Sequence, residues 1–180
     1  AVAQPLAGVR EPAAFTRRVT NPRLARSAGS TDYVLMVDRS ASMTGAVADA
    51  AADAAIVMIE ALAAAERDIA HAERSAGIDL ELDIRSSLIV FAAEATVLKP
   101  LSHGLDDAAR RRLFAEVRSP GGSTNDAAAL RTAGEQLGID LLRGAHSVDG
   151  LARRRIAILV GDGGTNDAPA AARELQRLRA

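Results

Sequence analysis

Tyr33-Val34-Leu35-Met36-Val37-Asp38-Arg39-Ser40-Ala41-Ser42-Met43 is the stretch on which the reading of the chain turns. A short apolar run, rich in Val, ends on a carboxylate. Such a run suits a strand buried on both faces, and strands of that kind belong to parallel sheets. The chain then changes character at once, with two serines placed two apart. Serines so spaced in a loop can turn both hydroxyls to one side. A second stretch repeats the arrangement: Ile156-Ala157-Ile158-Leu159-Val160 is again short and continuously apolar, and it ends at Gly161-Asp162-Gly163-Gly164. Asp38 and Asp162 each lie just past the C-terminal end of an apolar strand. In open α/β sheets that edge is where ligands bind.

Between these strands the spacing predicts a long Ala-rich helix from about Ala46 to Ala72, with Ile56, Ile59, Leu62, Ala63 and Ile69 on one face. Gly77 stops it. Ile78, Leu80, Leu82 and Ile84 then alternate with Asp79, Glu81, Asp83 and Arg85, the period-two pattern of a strand with one wet face. That strand runs into the apolar Leu88 to Phe91. Glu94 marks a tight turn, and Thr96 to Leu101 returns as another strand. Helices are predicted from Asp106 to Val117 and from Asn125 to Leu142, the second opened by the loop Ser119-Pro120-Gly121-Gly122-Ser123. Residues 143 to 152 read as a loop, and a last helix carries Pro169 in its first turn. Strands alternating with helices indicate an α/β layered fold with an open, mostly parallel sheet.

Residues 1–30 read as an arm or linker ahead of a domain at 31–180. Pro5, Pro12 and Pro22 break the segment, and Arg10, Arg17, Arg18, Arg23 and Arg26 face Glu11 alone. A solvated linker is the preferred reading, and a basic tail docking on an acidic partner or nucleic acid is the alternative. The 180 residues fit one domain with a single sizeable core. Aromatic residues make up only 2% and Trp is absent, so that core is built from Ala, Leu, Ile and Val. The same scarcity argues against single-stranded nucleic acid, which needs stacking platforms. A net charge of −1 gives no global attraction for polyanions. Without Cys there are no disulfides and no thiolate zinc sites. No segment reaches the roughly 18 apolar residues of a membrane span; the best run, Ala54 to Ala65, is broken by Glu60.

Three loops carry the chemistry: Asp38-Arg39-Ser40-Ala41-Ser42-Met43, Gly121-Gly122-Ser123-Thr124-Asn125 and Gly161-Asp162-Gly163-Gly164. They supply two carboxylates and several hydroxyls, all hard oxygen donors. Hard oxygens without His or Cys suit Mg²⁺, Mn²⁺ or Ca²⁺. Taken singly, each loop also reads as turn chemistry or helix capping. All three at successive strand ends point to a site.

In this order the motifs resemble the metal-ion-dependent adhesion site of von Willebrand factor A and integrin I domains: D-x-S-x-S after a hydrophobic strand, a G-G-S-T loop, and an Asp after a second hydrophobic strand. The stretch SLIVFAAEATVLKPLS, Ser87 to Ser102, is similar to that family's second and third strands, and Thr124-Asn125 through Ala129-Leu130 matches its T-N…A-L helix. The resemblance covers residues 31 to 180 and implies a Rossmann-like open sheet flanked by helices. It implies that Ser40 and Ser42 ligate Mg²⁺ directly, with Mn²⁺ and Ca²⁺ as alternatives. Thr124 would ligate directly or through water, and Asp38 and Asp162 mostly through water. An Asp or Glu of a partner protein would complete the octahedron. Arg39 and Ser123 are the candidates for touching that partner, with a solvated side chain as the other reading for Arg39. The resemblance implies a binding domain and no enzyme, and it offers AAA+ ATPases of the MoxR or chelatase type as a partner class. Asp126 reads as helix N-terminal charge and Asp167 as a cap.

The chain departs from the family pattern where Ala41 replaces the commoner Gly and where Ser123 precedes Thr124. The family also continues with two more strands and a helix. The expectation is therefore that the domain lacks its last strands, leaving Ile156 to Val160 at an open edge exposed to self-association or strand complementation. The rival reading is a haloacid-dehalogenase-type phosphotransferase with Asp38 as nucleophile. That family needs a second Asp where Ser40 stands, and its lysine would have to be Lys99. A structural scaffold with an inactive metal site is the third reading.

Overall fold

The apolar stretch that ends at Asp38 lies in the interior of the sheet. In the computed structural model, which describes residues 30–78, 82–139 and 153–179, β1 (Thr31–Asp38) is flanked by β2 (Ile84–Phe91) and β4 (Arg154–Val160), both parallel to it. β3 (Ala95–Ser102) returns antiparallel on the far side of β2, giving the order β3-β2-β1-β4. Both faces of β1 are covered. Leu35 and Val37 join a core with Ala51, Ala52, Ala55 and Ile59 of helix α1 (Ala46–Ala76) and Leu113 and Val117 of α2 (Asp107–Val117). Val34 and Met36 join a second core with Ala129, Leu130 and Ala133 of α3 (Asp126–Gln136). A strand sandwiched this way reads as an unbroken apolar run, because neither side meets water. Helix α4 (Ala168–Arg179) packs mainly on α3.

Local chemistry sets the helix limits. Asp106, Asn125 and Asp167 each accept a hydrogen bond from the backbone N–H three residues on, as caps do. Gly77 ends α1 at φ 62°, in the left-handed region.

Three expectations are corrected. α1 continues to Ala76, past the expected Ala72, since its last turn is polar and leaves no apolar period to read. The strand expected from Ile78 begins at Ile84, and residues 79–81 lie outside the described residues. From Ser86 to Phe91 the strand is buried throughout, as the apolar run there implies, because β2 lies between β1 and β3 with helices on both sides. α3 ends at Gln136 with Leu137 as its cap. The far end of the predicted helix, the 143–152 loop and the N-terminal arm lie outside the described residues.

Among the described residues β4 borders the sheet. Leu159 is 42% exposed. A groove of about 450 Å³ runs between β4 and α4, lined in part by Leu130, Leu159, Leu175 and Leu178. At the N-terminal ends of the strands, the buried Asp32 accepts two bonds from Arg85, each 2.8 Å, and one from Arg153 at 2.9 Å. Arg153 also reaches Asp83, which His103 contacts at 2.5 Å.

Candidate metal centre

β1 delivers Asp38 to the opposite end of the sheet with its side chain buried. The N–H of Arg39 makes one more sheet-like bond, to the Phe91 carbonyl at 2.8 Å, and the chain then turns. The turn is held by the Asp38 carboxylate, which accepts the Ser40 N–H at 2.7 Å. An Asp that bonds the backbone two residues on favours such a turn. Met43, fully buried in the first core, pins the other end of the loop. Between these anchors the hydroxyls of Ser40 and Ser42 are hydrogen-bonded at 3.1 Å. Ser40 is buried and Ser42 exposed.

Asp162 meets this loop from the end of β4. The Ser42 hydroxyl hydrogen-bonds its carboxylate, and the Gly164 N–H donates to it at 3.1 Å. The approach requires a small residue at 161. A Cβ there would sit 3.1 Å from the Asp38 Cβ and 3.2 Å from its Oδ2. Asp38, Ser40, Ser42 and Asp162 thus form one connected set from two strand ends that are 124 residues apart in sequence.

Thr124 is buried on the third loop. Its loop is tied to the first by Gly121 N–H to Arg39 O at 2.9 Å and Ala41 N–H to Gly122 O at 3.1 Å. Asn125 ties it to the β2–β3 turn through its N–H to Ala92 O, 2.9 Å, and its Nδ2 to Ala93 O, 3.0 Å. Gly122, at φ 84°, lies against Ala92 and Ala93, where an L side chain would be strained. Ser123 is exposed. Arg39 is turned to the end of α2, with Nη1 3.3 Å from Glu116 Oε2 and 3.5 Å from Ser119 O.

The site is electronegative. Burial pushes the Asp38 carboxyl up; bonds from the Ser40 backbone and hydroxyl oppose this, and the Asp162 and Asp126 carboxylates raise it further. Asp162 is held low, chiefly by the Ser42 hydroxyl and then by the Gly164 amide. Asp126, read from sequence only as helix N-terminal charge, also contributes to the field at Asp38. Its place two residues after Thr124 was the available signal. The described residues contain no cluster of three His, Cys, Asp or Glu able to hold a metal. That excludes a carboxylate or imidazole cage among them. The donor set is instead hydroxyl-rich with two carboxylates, which fits a hard divalent cation.

A family profile described as von Willebrand factor type A domain matches residues 33–164. Among curated proteins no sequence matches this chain. Among solved structures, the three N-terminal domains of the type V pili tip protein Mfa5 from Porphyromonas gingivalis are similar at 17% identity and TM-score 0.50, covering 75% of this chain and 20% of that one. The vWF domain of the same pilus protein matches at 18% identity and TM-score 0.35, covering 75% of this chain and 38% of that one. The PilB minor pilin from Streptococcus sanguinis matches at 19% identity and TM-score 0.45, covering 75% of this chain and 30% of that one. The chain therefore spans well under half the length of these structures. With the profile match over residues 33–164 and the strand-end site in place, the chain belongs to the von Willebrand factor type A domain family.

Proposed function

We propose that this domain binds a divalent cation, Mg²⁺ in the first instance, and uses it to capture an Asp or Glu side chain of a partner protein. The observation that carries the reading is the hydrogen-bonded chain Asp38–Ser40–Ser42–Asp162, which joins two strand ends around hard oxygens. Ser40, Ser42 and Thr124 would hold the ion, with Asp38 and Asp162 supplying counter-charge. A bound Mg²⁺ supplies a Lewis-acidic point for a carboxylate oxygen. The residues of this chain do the rest. The Ser40 amide orients Asp38, the Ser42 hydroxyl orients Asp162, and the buried Met43 keeps the serine loop from collapsing outward. Neutral hydroxyls next to the ion leave it electrophilic, while two carboxylates balance its charge. Two of the structures similar to this domain belong to a pilus tip protein and a third to a minor pilin, so a partner displayed on another protein surface fits the reading. An AAA+ ATPase of the MoxR or chelatase type is the other partner class. The exposed Leu159 on the bordering strand favours strand pairing along β4 as a secondary mode of contact.

The phosphotransferase reading loses its lysine. Lys99 is the chain's single lysine and is buried. Its ammonium is held by Ser86 O at 2.5 Å and by Ser102 O and Oγ at 2.8 and 3.1 Å. Ser86 precedes Phe91 by five residues of β2, roughly 16 Å of strand away from the Asp38 end.

The test is thermal stabilisation by Mg²⁺ and Mn²⁺ of the parent, of Asp38→Ala and of Ser40→Ala with Ser42→Ala. The reading expects a metal-dependent rise in Tm for the parent alone, and carboxylate-bearing partners that release on chelation. A folded parent whose Tm ignores millimolar metal counts against it.

A further inference from the structure

Thr124 stands on a segment, residues 118–125, that has neither helix nor strand to place it. Arg39 supplies much of what does. Its N–H is fixed to the sheet at Phe91 O, so the residue itself does not drift. Its carbonyl accepts the Gly121 N–H at 2.9 Å. Its guanidinium crosses to the other end of the same loop, meeting Ser119 O at 3.5 Å and the Glu116 carboxylate of α2 at 3.3 Å. One residue therefore touches the sheet end, the end of α2 and both ends of the Ser119–Gly121 turn. It also lies between Asp38 and Ser40 in sequence, so any displacement passes straight to them.

Two further facts weigh against a side chain reserved for solvent or for a partner. Only 28% of the Arg39 side chain is exposed. Its Nε is buried without a hydrogen-bond partner. A buried unpaired donor is unfavourable. The fold accepts it here while Nη1 of the same guanidinium meets both α2 and the loop.

We propose that Arg39 is a positioning residue, which clamps the Thr124 loop and the end of α2 to the serine loop and so sets the spacing between Thr124 and Ser40. The consequence for metal affinity rests on the proposed function; the clamp itself does not. The substitution of choice is Arg39→Met, which keeps most of the buried stem and removes the guanidinium. Arg39→Lys and Glu116→Gln complete the set. Amide hydrogen exchange at Ala41, Gly121 and Asn125, with Leu88 and Val90 as core references, is read without metal, followed by a Mg²⁺ titration of Tm. In Arg39→Met the three loop amides exchange about tenfold faster while the references do not change, as expected for a local opening. The Mg²⁺ midpoint rises on the order of tenfold, the range for residues that support metal ligands from behind. Arg39→Lys lies between, since both contacts come from Nη1 and the shorter lysine side chain keeps the positive charge but places its ammonium short of that position. Loop amides exchanging as in the parent overturn the clamp. Faster loop exchange in Arg39→Met, with a parent that ignores Mg²⁺, upholds the clamp and rejects the metal reading instead.

Discussion

The hydroxyl oxygens of Ser40 and Ser42 lie 3.1 Å apart, and this contact completes the path of hydrogen bonds from the Asp38 carboxylate to that of Asp162. The Ser42 hydroxyl is the largest influence holding Asp162 below its ordinary value of 3.8. In Ser42→Ala the Asp162 carboxyl therefore rises toward that value. Carbon-detected NMR titration without metal reads it directly; an Asp162 that titrates as in the parent would remove the link between the two loops. The same variant is expected to weaken Mg²⁺ stabilisation, and Ser40→Ala with Ser42→Ala to abolish it.

Gly161→Ala tests how closely the strand ends must approach. The added methyl would lie 3.1 Å from the Asp38 Cβ, with the backbone of β1 behind it. Overpacking of this kind costs about 1 to 3 kcal/mol. Chemical denaturation should show that loss, and the Mg²⁺ midpoint should rise because Asp38 is the group displaced. A variant equal to the parent in both would mean that the two loops have freedom the structure does not show.

At the opposite end of the sheet, Asp32→Asn leaves Arg85 and Arg153 without their shared carboxylate. Both guanidiniums keep some solvent contact, at 35% and 24% exposure. The expected loss is therefore at the low end for a broken buried pair, about 3 kcal/mol. Urea denaturation measures it, and Mg²⁺ affinity should be unaffected, since the site lies past the other end of β1.

Asp83 gives the pH prediction. Burial pushes its carboxyl up, but hydrogen bonds from His103 and Arg153, with their charges, outweigh this and leave it below the ordinary 3.8. A carboxyl depressed in the folded state stabilises above its unfolded pKa, and that stabilisation is lost as pH falls through the folded value. Asp83→Asn should thus be less stable than the parent at neutral pH, with the gap closing below about pH 4. A gap that stays constant down to pH 2 would contradict the assignment.

Much of this was legible in the chain. Continuous apolarity at Tyr33–Val37 and Ile156–Val160 announced parallel strands, because burial on both faces leaves no alternation. The loops after β1 and β4 were legible for a related reason: Asp38, Ser40, Ser42 and Asp162 are polar residues placed where apolar strands end, whereas Thr124 lies on the loop between α2 and α3. What stayed hidden depends on register. Asp32 and Arg85 are 53 residues apart and become neighbours only when β1 and β2 align. Alternation from Ile78 to Arg85 suggested a strand starting at Ile78, yet β2 starts at Ile84, where its pairing with β1 begins, and a local period carries no information about neighbours. Arg39 was expected to face a partner or solvent. Its turn toward Glu116 depends on α2 ending beside the loop, a tertiary fact. Lys99 was a candidate catalytic group until three oxygens of its own hairpin accounted for its ammonium.

β1 carries a buried carboxylate near each end, Asp32 and Asp38, and the chain treats the two differently. Asp32 is answered by two guanidiniums of the polypeptide. Asp38 receives an amide and a hydroxyl and is faced by two more acids. One pole is thus self-neutralised, while under the proposed function the other takes its positive charge from a bound cation. Under the proposed function, mineral supply governs grip at one pole and leaves the scaffold at the other untouched. On that reading, loading and unloading the domain is a matter for its surroundings, and the pole at Asp32 takes no part in it.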